Sequence, residues 1–470
     1  MRNFIGRKDY LARLKGLWSR QGAKLIAIYG RRRVGKTTMV QHFADGQKAF
    51  LFEALEDGDT PDQIRHFLEQ LSHFTSKPHI KDLVYKDWPP VFDLLTETIS
   101  QERSIIVCFD ELSWMAAGRS KLISYIKFYW DKHWKQHRHL LFILCGSVAS
   151  WMTKNVVRAS ALYGRISENI LVEPLKPHEV REFIGGKRGK REVLEYYLCF
   201  GGIPRYLEEF DFNRSIQLNI ENTCFHPSGF FTDEADKIFY NQFKETGVYK
   251  KIVTRLFEGP LPLQEISKRV RIPSGGGLKT YIDNLISAGI VGKRTEIKDF
   301  KLVKASSYFM ADEFLHFHHN FIRPNLEEIR SSGQPDKFAK LTFNKWDVFL
   351  GFAFERFCLK QRYAIAQLLG FGNKVVGCGT AVDRRAGGYQ FDLVFLRRDH
   401  VITLCEVKYL AAAPSTKLIK EFGDKISRAK FPRGVTLERV LICNIPPSPS
   451  LIESNYFCRI LTADEFVHFH

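Results

Sequence analysis

Short apolar runs alternate with stretches of helical periodicity through the first ~170 residues. Residues 25–29, 104–109 and 140–145 are nearly unbroken apolar segments of strand length, the pattern of strands buried on both faces. The first is followed by a glycine-rich turn and a predicted helix over residues 37–44. Strand–helix alternation of this kind predicts an α/β fold with a parallel sheet and helices on both faces. From residue 175 to about 240 the pattern turns helical, opening on Pro177, His178 and Glu179, a helix-start signal. Helical segments at 250–258, 263–270 and 278–288, the last preceded by a turn at 274–277 and ended by Gly289, lead into an extended stretch at 291–297. That spacing predicts a winged helix. Residues 301–345 read as a connecting segment. From Trp346 onward the expected order is a helix (346–362), strands at 374–379, 389–396 and 401–409, a helix at 416–430 and a last strand at 439–443, a second α/β unit.

Composition narrows this picture. A chain of 470 residues is too long for one core and implies about three domains. Its 44% hydrophobic and 26% charged residues are those of an ordinary globular protein. The longest apolar run, residues 140–152, is interrupted by Gly146, Ser147 and Ser150, too short and too polar to span a bilayer. Residues 1–10 run straight into charge with no apolar signal core, so a cytoplasmic protein with no membrane partner is expected. The nine cysteines are scattered without a CxxC pair and read as reduced core thiols rather than a disulfide framework or zinc site. The formal charge of +18 is concentrated toward the two ends of the chain, with a nearly neutral middle. Such a field favours polyanions, whether nucleotides or nucleic acid, although many basic proteins bind no DNA.

Residues 30–37, Gly30-Arg31-Arg32-Arg33-Val34-Gly35-Lys36-Thr37, match G-x-x-x-x-G-K-[ST] at every fixed position, between a strand and a helix as the motif requires. In that setting the glycines let successive backbone N–H groups wrap phosphates at a helix N-terminus. Lys36 reaches the β- and γ-phosphates, and the Thr37 hydroxyl ligates magnesium. The nucleotide-binding set is Gly30, Arg31, Arg32, Arg33, Val34, Gly35, Lys36, Thr37 and Thr38, with ATP and Mg2+ as cofactors. A carboxylate at the end of a neighbouring strand completes such a site, and Ile105 to Phe109 followed by Asp110 and Glu111 supplies it. Asp110 is expected in the magnesium shell and Glu111 as the general base that polarises water.

Several further motifs carry a resemblance. Phe4-Ile5-Gly6-Arg7-Lys8 with Leu11 and Leu14 resembles the N-terminal motif of the prokaryotic AAA+/STAND-type P-loop ATPases known as archaeal ATPases. Cys145-Gly146-Ser147 is similar to their sensor motif, Leu162-Tyr163-Gly164-Arg165 to the segment with their γ-phosphate arginine, and Gly201-Gly202-Ile203-Pro204-Arg205-Tyr206-Leu207 to their lid. The resemblance spans residues 4 to about 210. It implies that Ser147 senses the γ-phosphate and that Arg165 contributes charge, in cis or from a neighbouring subunit of a homo-oligomer. A surface arginine beside a turn and a small buried serine are the plainer readings.

In the C-terminal unit, the alternation of residues 401–409 puts Glu406 and Lys408 on one strand face, with Val407 pointing away. The preceding strand offers Asp392 between the core-facing Phe391 and Leu393, and the preceding helix offers Glu355. Two carboxylates on neighbouring strands can coordinate a divalent metal, with Glu355 a further acid. Lys408 can orient water and stabilise developing phosphorane charge. Glu-x-Lys on a strand is more often a solvated face. The full set nevertheless resembles the PD-(D/E)xK nuclease fold, a restriction-endonuclease-like α/β domain, with Phe-Asp in place of Pro-Asp. In the archaeal ATPases such a domain often follows the winged helix. The expected division is therefore a P-loop ATPase core (1–174), a helical lid (175–245), a winged helix (246–300), a connecting segment (301–345) and a nuclease-like domain (346–470).

Weaker signals remain. His316, His318 and His319 cluster on one segment, where packing is the better reading than metal binding. Lys279 and Thr280 on the third helix, with Lys293 and Arg294 on the wing, are DNA-contact candidates, but the region is nearly neutral and the module can equally be a structural arm. The resulting expectation is an ATP-binding and hydrolysing ATPase coupled to a metal-dependent nuclease-like domain acting on nucleic acid, DNA first. The alternative is a signalling or scaffolding switch whose C-terminal domain binds without cleaving. An ATP-responsive transcription regulator comes third.

Overall fold

The apolar runs of the N-terminal part form one parallel sheet. Its strands are β1 (Lys24–Tyr29), β2 (Ala49–Glu53), β3 (Ile105–Asp110), β4 (Leu140–Gly146) and β5 (Ile166–Leu171), in the order β2-β3-β4-β1-β5. The computed structural model describes residues 4–468 apart from Arg119, Lys244, residues 332–335, Arg384 and Ala386. It divides into two units, Met1–Leu175 with Ile203–Arg205, and Lys176–Gly202 with Tyr206–His470. Every residue of β3 and β4 is buried, which is why these strands show continuous rather than alternating hydrophobicity. Aromatic rings fill one face of this sheet. Phe52 stacks on Phe67 at 3.8 Å, and Phe109 meets Phe67, Phe92 and Phe142 edge-on or tilted. One expectation is corrected here. The acid-bearing β3 does not neighbour β1, because β4 pairs with both and lies between them. Parallel strands are joined by crossovers, so adjacency in sequence says little about adjacency in the sheet.

The second unit opens with helices Pro177–Ile184, Lys190–Phe200, Ile216–Cys224 and Glu234–Gln242. Helices Thr246–Leu256, Leu263–Val270 and Gly276–Ser287 follow, with strands β6 (Leu261–Pro262), β7 (Val291–Lys298) and β8 (Lys301–Met310). The third helix ends as its glycine requires. Gly289 has φ 71°, and Ile290 N–H bonds the Leu285 carbonyl at 3.0 Å, closing the last turn. Strand β8 lies in what the sequence suggested was a connecting segment, part of which (332–335) falls outside the described residues. Its burial comes from hairpin pairing with β7, which alternation alone did not reveal.

The C-terminal part carries the helix Trp346–Lys360, strands β9 (Val375–Val382), β10 (Gln390–Arg397) and β11 (Val401–Lys408), the helix Lys417–Arg428 and β12 (Thr436–Cys443). Beyond β12, expected to be the last strand, come β13 (Arg459–Thr462) and the helix Ala463–His468. β13 is only four residues long, too short to stand out as a periodic segment.

All strands of this unit belong to one eight-stranded sheet, in the order β13-β12-β11-β10-β9-β7-β8-β6. The hairpin β7–β8 thus continues the C-terminal sheet, with Ile297 opposite Ala381 of β9 in parallel register. At its turn Asp299 and Phe300 both have positive φ, 49° and 55°, as a two-residue hairpin loop demands. A bulky residue in that region is strained. Phe300 is held there because its ring is 3% exposed, 4.3 Å from Phe431 and stacked near Tyr389. It belongs, with Ile297, Phe391 and Phe422, to the core of the C-terminal part. No helix among the described residues is long and apolar enough to cross a membrane.

Candidate functional site

The loop after β1 is shaped by backbone requirements that only its own residues meet. Gly30 packs against the chain leaving β5, and a Cβ there would lie 2.3 Å from the Val172 carbonyl oxygen. Gly35 has φ 84°, and Arg33 also adopts left-handed geometry at 74°. Lys36 opens the helix Lys36–Ala44 and is 4% exposed, its ammonium donating to the Arg31 carbonyl at 3.1 Å. Val34 is buried, while Thr37 and Thr38 are exposed on the first turn. The Arg32 guanidinium sits 5.2 Å over the Trp114 ring and 3.3 Å from Glu56. Pro204, which belongs to the same unit, lies beside Gly35, so this one residue of the motif singled out in sequence reaches the loop.

The acid pair is brought to this loop. Thr37 Oγ1 donates to Asp110 Oδ2 at 2.5 Å, and Asp110 Oδ1 accepts the Glu111 N–H at 2.9 Å. Glu111 holds a left-handed backbone, φ 50° and ψ 46°, a conformation that costs a non-glycine residue roughly 1–2 kcal/mol and clusters at functional sites. Its side chain turns to the end of β4. Glu111 Oε2 accepts from the Ser147 hydroxyl at 2.7 Å and from the Ser147 N–H at 3.1 Å. Because β4 separates β1 from β3, Ser147 at the end of β4 lies between the strand that leads into the loop and the strand that carries the acid pair.

Arg165 is elsewhere. It precedes β5, whose Ile166 pairs with Leu25 at the start of β1, whereas the loop follows Tyr29, which pairs with Leu171. At ~3.3 Å per residue the two ends are roughly 15–20 Å apart. The guanidinium is instead bidentate to Asp131, Nε–Oδ1 and Nη2–Oδ2 both 2.8 Å, and holds that carboxyl well below the usual range. The expected action in cis is therefore excluded by position. A strand-end arginine has two ends of the sheet to choose from, and the motif does not say which.

Arg7, quoted in the sequence only as part of a motif, has a structural task that sequence reasoning missed. It is 3% exposed, donates to the Val34 carbonyl at 2.7 Å and to the Glu173 carbonyl, and so ties the phosphate loop to the chain leaving β5. Its left-handed φ of 60° follows directly on Gly6, at 70°. The available signal was the arginine that follows Phe4, Ile5 and Gly6 directly.

In the C-terminal part, Asp392, Glu406, Lys408 and Glu355 do converge. Asp392 Oδ2 accepts the Val407 N–H at 3.0 Å from the neighbouring strand. Burial, then the Glu406 charge, raises the Asp392 carboxyl above its ordinary value. Burial and the Asp392 charge push Glu355 up to about 7. Lys408 lies 2.8 Å from Glu406 Oε1. Burial alone would lower its ammonium, but the Glu406 carboxylate overcomes this and raises it. Lys425, absent from the sequence reading, donates to both Glu406 oxygens at 2.7 and 2.8 Å from the helix Lys417–Arg428. Glu406 is 1% exposed. This arrangement does not fit the expected metal site of Asp392, Glu406 and Glu355. Among the described residues no three His, Cys, Asp or Glu side chains group to hold a metal ion, and two ammonium groups occupy Glu406 instead. Lys408 shares a strand with Glu406, whereas Lys425, 19 positions from Glu406 on a helix, carries no local signal.

Three of the four DNA-contact candidates of the three-helix segment are otherwise engaged. Lys279 pairs with Asp283, Thr280 bonds back to its own helix at Gly276, and Arg294 donates to Ser307 at 3.1 Å. Strand β7, carrying Lys293 and Arg294, pairs with β8 and, at Ile297 alone, with β9. Among the histidines, burial pushes His316 down to about 3 and His318 to about 4, while His319 stacks on Phe257 at 3.9 Å. They pack, as expected.

Residues 4–210 match the family described as the ATPase domain predominantly from Archaea, and the N-terminal part of the chain is an ATPase domain of that type. The chain is 27% identical over 355 residues to an uncharacterized protein of Methanocaldococcus jannaschii, covering 75% of this chain and 76% of that one. It is 44% identical over 45 residues to an uncharacterized ATP-binding protein of the same organism, 10% of this chain and 76% of the other. Among solved structures it is similar to the Walker-type ATPase of Pyrococcus abyssi, with 19% identity, 67% and 95% of the two chains covered and a TM-score of 0.49. The ORC2 protein of Aeropyrum pernix gives 14% identity, 70% and 96% coverage and a TM-score of 0.43.

Proposed function

We propose that this protein binds ATP with magnesium at the loop 30–38 and hydrolyses it, using Glu111 as general base. The observation that carries the reading is the meeting of Thr37, Asp110, Glu111 and Ser147 at the ends of three strands. Two hard oxygens, the Thr37 hydroxyl and the Asp110 carboxylate, lie side by side there and suit magnesium, which when bound would offset phosphate charge. Backbone amides of residues 33–37 cradle the phosphates, and Lys36 exchanges the Arg31 carbonyl for a β- or γ-phosphate oxygen. Glu111 accepts a proton from water as its oxygen attacks the γ-phosphorus. The bond to the bridging oxygen breaks, and ADP leaves with that electron pair. The Ser147 hydroxyl, which now donates to Glu111, is placed to donate to the γ-phosphate instead, consistent with a sensing role. Arg165 contributes only across a subunit interface of a homo-oligomer. The test is ATP turnover by the purified chain: Lys36→Ala abolishes binding and turnover, and Glu111→Gln abolishes turnover alone. A Glu111→Gln chain that hydrolyses at the original rate would refute the assignment.

For the C-terminal part, the convergence of Asp392, Glu406, Lys408 and Glu355 supports a nuclease-like domain of the PD-(D/E)xK kind, acting on nucleic acid, with DNA the first substrate to test. The three-helix segment with its hairpin reads as a winged helix serving as a structural arm, since the hairpin turn is buried in the C-terminal core. The Lys425–Glu406 pairing favours the second reading, a switch whose C-terminal part binds without cleaving. Plasmid and single-stranded DNA in magnesium or manganese, with and without ATP, separate the two. Cutting that disappears in Glu406→Ala and Lys408→Ala supports the first, and no cutting with ATP turnover intact supports the second.

A further inference from the structure

Glu406, at the centre of the C-terminal cluster, carries two cations, and both are side chains. Lys425 spans both oxygens of Glu406 at 2.7 and 2.8 Å, covering the edge of the carboxylate by which an ion would approach. Lys408 differs in reach, meeting Oε1 alone. Both Asp392 oxygens are also in use, Oδ2 by the Val407 N–H and Oδ1 by the Gln390 side chain at 3.3 Å. A carboxylate that is 1% exposed cannot stay charged without a partner, and the two ammonium groups supply it. Lys425 comes from a separate element, is about one-quarter exposed at its side chain, and reaches the site on a flexible four-carbon stem. Its backbone lies on a helix outside the sheet, whereas Lys408, similarly exposed at its side chain, comes from the strand that also carries Glu406.

We propose that Lys425 is an internal counter-ion that latches Glu406 and competes directly with a divalent metal, so that the C-terminal site loads metal only when this lysine lets go. The inference rests on reading Asp392, Glu406 and Lys408 as a nuclease-type site. It explains why a set of residues with the right chemistry is not arranged as a ligand group: the latched form is the resting form. Removing the latch lowers the cost of placing a dication on Glu406, while a charge-keeping replacement retains it.

The test is Mn2+ titration of the nucleotide-free full-length chain, followed by electron paramagnetic resonance, in the original protein, Lys425→Met, Lys425→Arg and the double variant Lys425→Met with Glu406→Gln. Lys425→Met is expected to bind Mn2+ about tenfold more tightly or better, with the gain lost in the double variant and absent in Lys425→Arg. Equal affinity of the original chain and Lys425→Met for a Glu406-dependent ion overturns the latch and leaves the nuclease-type reading standing. No Glu406-dependent Mn2+ in any variant overturns both. A second measurement needs no variant. In the original protein, acetylation of Lys425 read by mass spectrometry should rise several-fold when Mn2+ is added, with the exposed Lys420 of the same helix unchanged. A Lys425 that reacts equally with and without Mn2+ overturns the latch even if Lys425→Met fails to fold.

Discussion

Ser147 donates to Glu111 twice, from its hydroxyl at 2.7 Å and from its backbone N–H at 3.1 Å, both to the same carboxylate oxygen. The strand that separates phosphate loop from acid strand therefore also holds the Glu111 carboxylate.

Glu111→Gln is expected to slow turnover on the order of 100-fold or more while ATP binding stays within a few-fold, because the amide keeps the shape but accepts no proton. Ser147→Ala loses one of two donors and should lower kcat by roughly tenfold with little change in KM. Steady-state kinetics beside nucleotide calorimetry distinguish the two. A Ser147→Ala chain that loses binding rather than turnover contradicts the placement.

Arg7→Ala leaves the Val34 and Glu173 carbonyls without their buried donor, a loss of about 2–4 kcal/mol in stability. Lys in its place reaches one carbonyl and not both, so Arg7→Lys should recover only part. Denaturant unfolding measures the first effect. Weaker nucleotide binding in Arg7→Lys, with the fold intact, reports slackening of the loop.

Arg165→Ala should leave the hydrolysis rate of the monomeric chain unchanged, since the side chain is paired with Asp131 at the far end of the sheet. If oligomers form, a defect in this variant appears only above the concentration at which they assemble. Rates measured across a dilution series alongside sedimentation check this. Slow turnover by monomeric Arg165→Ala would show that the arginine acts in cis after all.

Phe300→Ala removes a ring buried at the hairpin turn and should cost about 3–5 kcal/mol. The damage is expected in the C-terminal part, where protease digestion would cut first. By contrast Lys293→Ala, in a module that serves as a structural arm, should leave any duplex DNA retention unaltered.

Glu355 sits at about 7 rather than its ordinary 4.5, first through burial and then through the charge of Asp392. A carboxyl raised in the folded state keeps its proton while the unfolded chain has already ionised. Its contribution to stability is full below about 4.5 and is lost as pH rises through about 7. Glu355→Gln, neutral throughout, should match the original chain at pH 4.5 and melt at higher temperature at pH 8. Melting curves at the two pH values check the sign. A Glu355→Gln chain less stable at pH 8 would mean the ionised carboxylate is paired.

The phosphate loop, the acid-terminated strand, the strand–helix alternation and the Asp392, Glu406, Lys408 set were legible in the sequence because each depends on residues close along the chain. Gly30 and Gly35 serve a backbone path, Lys36 opens a helix, and Glu406 and Lys408 share a face by strand period alone. Tertiary structure decided what no local pattern encodes. It placed β4 between β1 and β3, and with it Ser147 against Glu111. It set Arg165 at the remote end of β5, turned Phe300 into core, and laid Lys425 over Glu406. Strand order and ion pairing follow from which distant surfaces bury each other and which buried charge needs a counter-charge. Those are properties of the folded chain as a whole.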